Sequence, residues 1–414
     1  MSDPYPLRPL HEHEITDWAR MTCDTYGTDW REGGLRGVQG SIEPERTVAA
    51  FDGDRIIGGG AIYSRDLTVP GAVRPVAGVT LIAVSPTHRR RGVLTSIIRR
   101  QFEDVRAHGE SVAALNASEG GIYGRFGYGM ASRLARVSGD KRMMRLHPGV
   151  DTGQGRVQLL DSAQARPLLE KVHDTVRSGS VGWVDRPERF WDALLRDDPP
   201  VRGGMTAMRF AVHTEPGGEA TGYAIYRFRG ADDSRGTPAT VHVVELAATR
   251  PRAHAALWDL LISIDAHPGL YYEGPVDDPL PRMLTDAGAL STGVFDNLWV
   301  RLVDVERALA ERHYSLPLDV VLEVDDAFCP WNTGRYRLRA DGEDVRCERT
   351  GATADLRLSA AELGAAYLGG TTLASLAQAG RVTELTPGSL SRCSTAFRGE
   401  REPFHPSGRA FPAY

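Results

Sequence analysis

The chain has 414 residues, of which 41% are hydrophobic and 25% are charged, and its formal net charge is −5. This length exceeds what one hydrophobic core supports and predicts two or three domains of globular type. The acidic balance predicts no nucleic-acid partner and no membrane partner.

The N-terminal sequence MSDPYPLRPLHEHE lacks the order of a signal peptide, and no apolar run reaches the roughly 18 residues that span a bilayer. Four scattered cysteines form no C-x-x-C pair. They predict reduced thiols in a cytoplasmic protein and no metal site.

The first segment, residues 1–147, alternates strand and helix patterns. A hairpin is predicted over 46–63 around the turn Asp52-Gly53-Asp54, and a buried strand over 79–84. A helix is predicted from Val93, with a C-terminal glycine at Gly109, and the next strand over 112–115. The order is that of an α/β fold.

The second segment, 148–297, repeats this order in weaker form. Strands are predicted over 223–227 and 241–248, and a helix over 251–267. In a direct comparison of TRPRAHAAL with PTHRRRGVL, Ala255 stands where Gly92 stood. Without that glycine the backbone approaches a phosphate poorly, so this segment is expected to hold no cofactor.

The third segment, 298–414, changes in character. Residues 356–374 predict a strand end followed by a helix that stops at Gly369-Gly370. The last eleven residues contain three aromatic residues, Phe404, Phe411 and Tyr414. Terminal segments are usually frayed, but this many aromatic residues predicts that the tail docks on the protein.

The turn that carries Arg89, Arg90, Arg91 and Gly92 lies between a buried strand and an amphipathic helix. Backbone amides at a helix start, in a loop made compact by glycine, bind pyrophosphate well, and arginines add charge-assisted hydrogen bonds. A solvated basic turn is the alternative reading of the same residues.

This strand, turn and helix resemble motif A of the GNAT acyltransferases, with Leu94 in place of the usual small residue. The strings SPTHRRRGVL and ASEGGIYGRFGYG together resemble the Eis (enhanced intracellular survival) family. The resemblance implies two fused GNAT-like domains in an α/β (α+β) fold, followed by a domain similar to sterol carrier protein. It also implies a hexamer and acetyl-CoA as the acetyl donor.

The resemblance further implies residue roles. Tyr123 corresponds to the general acid and the terminal carboxylate of Tyr414 to the general base. The positions that correspond to the acetyl-CoA site are Ile82, Ala83, Val84, Arg90, Arg91, Gly92, Val93, Leu94, Thr95, Ser118 and Glu119. For Tyr123 the alternative is a packed tyrosine, and for Glu119 a solvated carboxylate; Tyr128 is read as packing.

The implied roles agree with the chemistry of acetyl transfer to an amine. An alkylamine has a pKa of about 10, so a base near the nitrogen is useful. A phenol with a pKa of about 10 beside a thiol of about 8.5 makes proton donation to the leaving thiolate plausible. A strand amide near Val84 would hold the oxyanion.

The acceptor implied by the family is an amine of an aminoglycoside, a polyamine or a lysine side chain. Asp29 and Trp30 lie in the loop that faces the acceptor in this family, and a plain surface carboxylate is the alternative for Asp29. Ala413 stands where the best-studied type of this family has an acidic residue before its terminal aromatic, which weakens the expectation for highly cationic aminoglycosides.

The sequence offers two alternative functions. His173, Asp174, Asp185 and Asp192 invite a hydrolytic triad, but the sequence has no G-x-S-x-G serine. A regulatory protein that binds coenzyme A or lipid without turnover is the main alternative to an acetyltransferase.

Overall fold

The computed structural model describes residues 5–30, 40–232, 236–406 and 410–411. The helices are α1 (Ile15–Tyr26), α2 (Val93–Ala107), α3 (Gly120–Tyr123), α4 (Ser162–Arg177), α5 (Glu188–Leu195), α6 (Pro251–Ser263), α7 (Leu280–Met283), α8 (Val305–Ala310), α9 (Ala360–Ala366), α10 (Leu373–Gln378) and α11 (Ser389–Phe397).

The strands form three sheets. They are β1 (Leu7–Arg8), β2 (Thr47–Asp52), β3 (Arg55–Val69), β4 (Ala72–Val84), β5 (Val112–Asn116), β6 (Gly129–Met130), β7 (Arg133–Asp140), β8 (Arg156–Leu160), β9 (Arg209–Thr214), β10 (Ala220–Arg229), β11 (Thr240–Ala248), β12 (Gly269–Gly274), β13 (Leu290–Asp296), β14 (Leu298–Leu302), β15 (Leu318–Asp325), β16 (Gly334–Asp341), β17 (Asp344–Arg349), β18 (Leu356–Ser359) and β19 (Val382–Glu384).

The first sheet has the strand order β1-β2-β3-β4-β5-β14-β6. The predicted hairpin is present as β2 and β3, with Gly53 in the turn at a φ of 59°. Helix α2 begins at the predicted Val93 and buries Ile98 and Phe102 against the sheet, and Gly109 follows its end at a φ of 73°. Local patterns in this segment therefore predicted the local structure.

Strands β4 and β5 are parallel neighbours that separate after a short pairing. They pair only where Ala77 and Gly78 face Ala113 and Ala114. Past Gly78 no described strand pairs with the edge of β4 that faces β5. The first sheet therefore contains a cleft between two of its central strands.

A β-bulge lies on β4 within this cleft. Ala83 pairs with Gly59 and Thr80 with Ala61, so β4 carries one more residue here than β3, and Leu81 has a φ of 57°. A bulge bends its strand and increases its twist, which re-aims the backbone of the strand end.

The second sheet has the order β13-β7-β12-β11-β10-β9-β8. The two sheets exchange strands: β7 precedes the expected boundary at 147 but lies in the second sheet, and β14 follows the boundary at 297 but pairs with β5 in the first. The division into 1–147, 148–297 and 298–414 remains a prediction about domains, and the sheets cross it twice.

The third sheet, β17-β16-β15-β18-β19, belongs to the last segment. The predicted strand and helix are β18 and α9, and Gly369 follows at a φ of 85°, whereas Leu373 already begins α10.

Helix α9 packs across β14 and β6 of the first sheet at backbone distance. A Cβ atom on Gly129 would lie 1.9 Å from the carbonyl oxygen of Ala361, and one on Gly364 would lie 2.2 Å from that of Val300. The last segment is thus joined to the first sheet through glycines.

All four cysteines are buried free thiols. Among the described residues no helix is long and apolar enough to cross a membrane.

The glycine contact predicts a large loss of stability in Gly129→Ala. The new methyl group would meet backbone rather than a flexible side chain, and overpacking of this kind costs about 1–3 kcal/mol or more. Urea denaturation would measure the loss. Gly121→Ala is the matched control because nothing lies within 4 Å of its added Cβ. Equal midpoints for both variants would contradict this packing.

Candidate active site

The connection between β4 and α2 ends at a helix N-terminus that no side chain caps. Gly92 caps α2 at a φ of 84° without a side-chain hydrogen bond, and Arg90 has a φ of 63°. The N–H groups of the first helical turn have no intrahelical acceptor, and the helix dipole favours negative charge there. The predicted pyrophosphate residues Arg90, Arg91, Gly92, Val93, Leu94 and Thr95 are brought together at this helix start.

The side chains of His88 and Arg91 hold the turn through hydrogen bonds to neighbouring residues. His88 is buried, and its ring nitrogens contact the Thr87 hydroxyl at 2.8 Å and the Asp52 carboxylate at 3.2 Å. Arg91 donates to the Tyr5 hydroxyl at 3.2 Å. Arg89 and Arg90 are exposed and available to an anion.

The predicted strand residues Ile82, Ala83 and Val84 form the free edge of β4 just before this turn. The Ile82 carbonyl accepts a hydrogen bond of 2.7 Å from the Tyr26 hydroxyl. Ser118 also hydrogen-bonds this hydroxyl from the end of β5. Tyr26 therefore bridges the cleft near its open end.

Tyr123 lies at the end of the short helix α3, which follows β5. It is buried, and its ring packs edge-on against Tyr128 with 5.9 Å between centroids. Burial raises the pKa of the Tyr123 phenol well above 10, and the nearby Tyr26 and Glu119 add to this rise. The phenol therefore carries its proton at neutral pH. Glu119 itself is exposed.

A buried ion pair lies against the loop that follows Tyr123. The Arg301 guanidinium donates to Asp326 at 2.6 Å, and both side chains are buried. A Cβ on Gly127 would lie 2.7 Å from this guanidinium, so the glycine lets the loop rest on it. Tyr128, fully buried beside it, packs as predicted.

The tail docks at the apex of the cleft, as the aromatic residues predicted. The Phe411 ring covers Gly78, where a Cβ would lie 2.4 Å from it, and the Phe411 N–H donates to Asn116 Oδ1 at 3.2 Å. Phe404 is also buried. Tyr414, the predicted base, and Ala413 lie outside the described residues.

The predicted acceptor residues follow α1. Asp29 is exposed, and Trp30 packs under the Arg20 guanidinium, which lies 5.6 Å from the ring centroid. Tyr26, three residues earlier, reaches the cleft instead. Sequence reasoning missed Tyr26, Asn116 and Arg301, because only the three-dimensional arrangement brings them to the cleft.

The hydrolytic grouping is assembled only in part, since His173 Nδ1 lies 3.7 Å from Asp174 Oδ1. Asp185 pairs with Arg65 at 2.9 Å and Asp192 with Arg166 at 2.6 Å. His173 packs between Trp183 and Trp191. In the described part of the chain no group of three or more His, Cys, Asp or Glu could hold a metal ion.

Comparisons with known families identify three regions. Two models described as acetyltransferase (GNAT) domains match residues 6–131 and 182–302. A model described as a sterol carrier protein domain matches residues 305–406.

Relatives match over most of the chain. An uncharacterized N-acetyltransferase of Streptomyces avermitilis is 41% identical over 88% of this chain and 90% of its own length. The N-acetyltransferase Eis of Mycobacterium tuberculosis is 35% identical over 85% of both chains. The crystal structure of Eis1 from Mycobacterium abscessus has a TM-score of 0.82 and 33% identity, covering 99% of this chain and 100% of that one.

The docked tail predicts that Gly78→Ala displaces Phe411, because the added methyl group would occupy the place of the ring. Hydrogen exchange of the Phe411 amide should then accelerate by about tenfold or more, since local opening replaces its bond to Asn116. Amides of β2 serve as the internal reference and should stay protected. Unchanged exchange at Phe411 would refute this mode of docking.

Proposed function

The chain belongs to the Eis family of GNAT N-acetyltransferases, and we propose that it transfers acetyl from acetyl-CoA directly to an amine in a ternary complex. One observation carries the proposal: three features meet at the divergence of β4 and β5. They are a helix N-terminus with uncapped amides, a free strand edge and a buried protonated phenol. Together they suit a diphosphate, an amide arm and a leaving thiolate.

The residues around the cleft fit acetyl-CoA, which supplies the acetyl group as a thioester. The turn from Arg90 to Thr95 would bind the diphosphate through backbone amides and guanidinium groups. The edge of Ile82, Ala83 and Val84 would pair with the amide arm, and an amide near Val84 would hold the oxyanion. Ser118 and Glu119 stand opposite, at the end of β5.

Tyr123 is proposed as the general acid. Its raised pKa makes the Tyr123 phenol a poor proton donor to a thiolate in water, because the corresponding thiol has a pKa of only about 8.5. The same burial raises the pKa of a thiolate formed beside it, since desolvation penalises any anion. The difference between the two groups, rather than either value alone, governs the proton transfer.

The carboxylate of Tyr414 is proposed as the base that takes a proton from the amine. Phe411, three positions before Tyr414, docks at Gly78 at the apex of the cleft, which supports a base supplied by the end of this chain.

The acceptor is proposed to be an amine of an aminoglycoside, a polyamine or a lysine side chain, with Asp29 and Trp30 on its approach. A carboxylate and an aromatic ring both attract a cationic amine. The hexamer and the cytoplasmic location stay predictions alongside it.

The structure gives little support to the alternative of a lipid carrier. The core of the last segment contains the fully buried Arg312, which donates to the carbonyls of Tyr367 and Phe397. Its guanidinium lies 4.9 Å from the Phe397 ring centroid. A buried cation among polar carbonyls disfavours an apolar ligand at that place.

Tyr123→Phe should lower kcat by about 10²–10⁴-fold, because general acid catalysis contributes about that factor. Thiol release from acetyl-CoA would be measured with aminoglycosides, polyamines and lysine peptides. Acetyl-CoA affinity should change little. Tyr128→Phe is the matched control, since its buried hydroxyl has no hydrogen-bond partner in the described structure. Equal activity of the two variants would remove Tyr123 from the role.

Residues appended after Tyr414 should abolish turnover while leaving acetyl-CoA affinity unchanged, because an appended peptide converts the carboxylate into a neutral amide. The control carries the same residues before Met1. Loss of a general base is worth about 10²–10⁴ in rate. Full activity of the extended chain would mean that another group, or water, takes the proton.

A further inference from the structure

The second sheet repeats the strand divergence of the first. Strands β11 and β12 pair in parallel from Thr240 to Val243 and then separate. Strand β11 also carries a bulge, because Ile225 pairs with Glu245 but Tyr226 with Val243. Within the described residues no strand pairs with the β12-facing edge of β11 past Val243. A row of backbone donors and acceptors is therefore free there.

A cavity of about 1240 Å³ lies at this divergence, between the second sheet and the last segment. Pockets for small ligands are usually about 300–1,000 Å³, so the space suffices. Its apolar walls include Leu246, Ala248, Met283, Trp183 and Phe404. Residues 398–402 of the last segment close one side.

The part that would hold a phosphate is missing. In the first sheet Ser85–Gly92 connects strand and helix, whereas only Thr249 and Arg250 connect β11 to α6. Arg250, rather than Ala255, therefore holds the capping position of Gly92, which corrects the placement expected from sequence. The next residue, Pro251, has no N–H to donate.

The arginines of this connection are already paired. Arg250 donates to Glu219 at 3.1 Å and Arg252 to Glu215 at 2.9 Å. A phosphate would have to displace a carboxylate at each of them.

The inner end of the cavity carries one buried carboxyl group. Asp278 lines the cavity, is 8% exposed and accepts the Leu280 N–H at 2.8 Å. No described cation forms an ion pair with it. Burial raises the pKa of this carboxyl group, whereas the nearby His254, Tyr272 and Arg401 lower it.

We propose that this cavity binds a second ligand: an extended chain of secondary amides without phosphate, which pairs with the free edge of β11. Main-chain pairing supplies the affinity in strand addition, and the apolar walls and Asp278 select the side groups. Amide-linked small molecules and short peptides share this chemistry. The site does not depend on acetyl transfer at the first sheet.

The test uses the full-length protein with desulfo-coenzyme A at saturation, so that the first cleft is filled. Calorimetric titrations with D-pantetheine and with N-acetyl-trialanine amide should detect one further site for at least one probe. Binding of pantetheine alone would identify an amide-linked small molecule, and binding of the tripeptide would identify a peptide.

Gly179→Trp should weaken this binding by about tenfold or more, because Gly179 lines the cavity and nothing lies within 4 Å of its added Cβ. Gly217→Trp is the matched control, equally open but outside the cavity, and should bind normally. Asp278→Asn tests the inner end separately. The acetyl-transfer activity of Gly179→Trp should equal that of the unmodified chain. This measurement distinguishes a failure of the proposed acetyl transfer at the first cleft from a failure of the proposed second site.

Absence of binding by both probes at millimolar concentration would overturn the proposal. So would binding that neither Gly179→Trp nor Asp278→Asn weakens.

Discussion

The divergence of β4 and β5 past Gly78 is the constraint on which the rest of the site depends. Two parallel strands that separate leave unpaired backbone groups in the middle of a sheet, and such groups need partners or water. Tyr26 satisfies one of them by donating to the Ile82 carbonyl at 2.7 Å. The remaining edge is left for a ligand, while Phe411 seals the apex. The space for a ligand in this cleft follows from the incomplete pairing of β4 with β5.

The last segment completes this cleft from two sides. Helix α9 approaches the first sheet closely enough that only glycine fits at Gly129 and Gly364. Asp326 holds Arg301 under the loop that carries Tyr123, and the tail supplies Phe411. Because these contacts hold the loop that carries Tyr123 and cover the apex, the sterol-carrier-like domain is a structural part of the walls of this cleft.

The sequence predicted the elements whose signals are local. The hairpin turn, the start of α2 at Val93 and the basic turn before it depend on neighbouring residues, and all are present. The strand exchange and the contacts of Tyr26 and Arg301 depend on segments that are distant in the sequence. Hydrophobic periodicity does not indicate such contacts. The placement of Ala255 at the position of Gly92 was wrong for the same reason: matching letters ignored a shortened connection, and Arg250 caps the helix.

Comparison of the two sheets separates what the fold requires from what the ligand requires. Both keep a bulge and a divergence next to a helix start, although their connecting loops differ in length and charge pairing. The divergence therefore belongs to the fold that the two copies share and does not depend on a phosphate-binding loop. A phosphate site needs a long glycine-containing loop with free arginines, and only the first copy has one. The two clefts therefore differ mainly in their connections, and the second copy keeps a cleft beside a connection of only two residues.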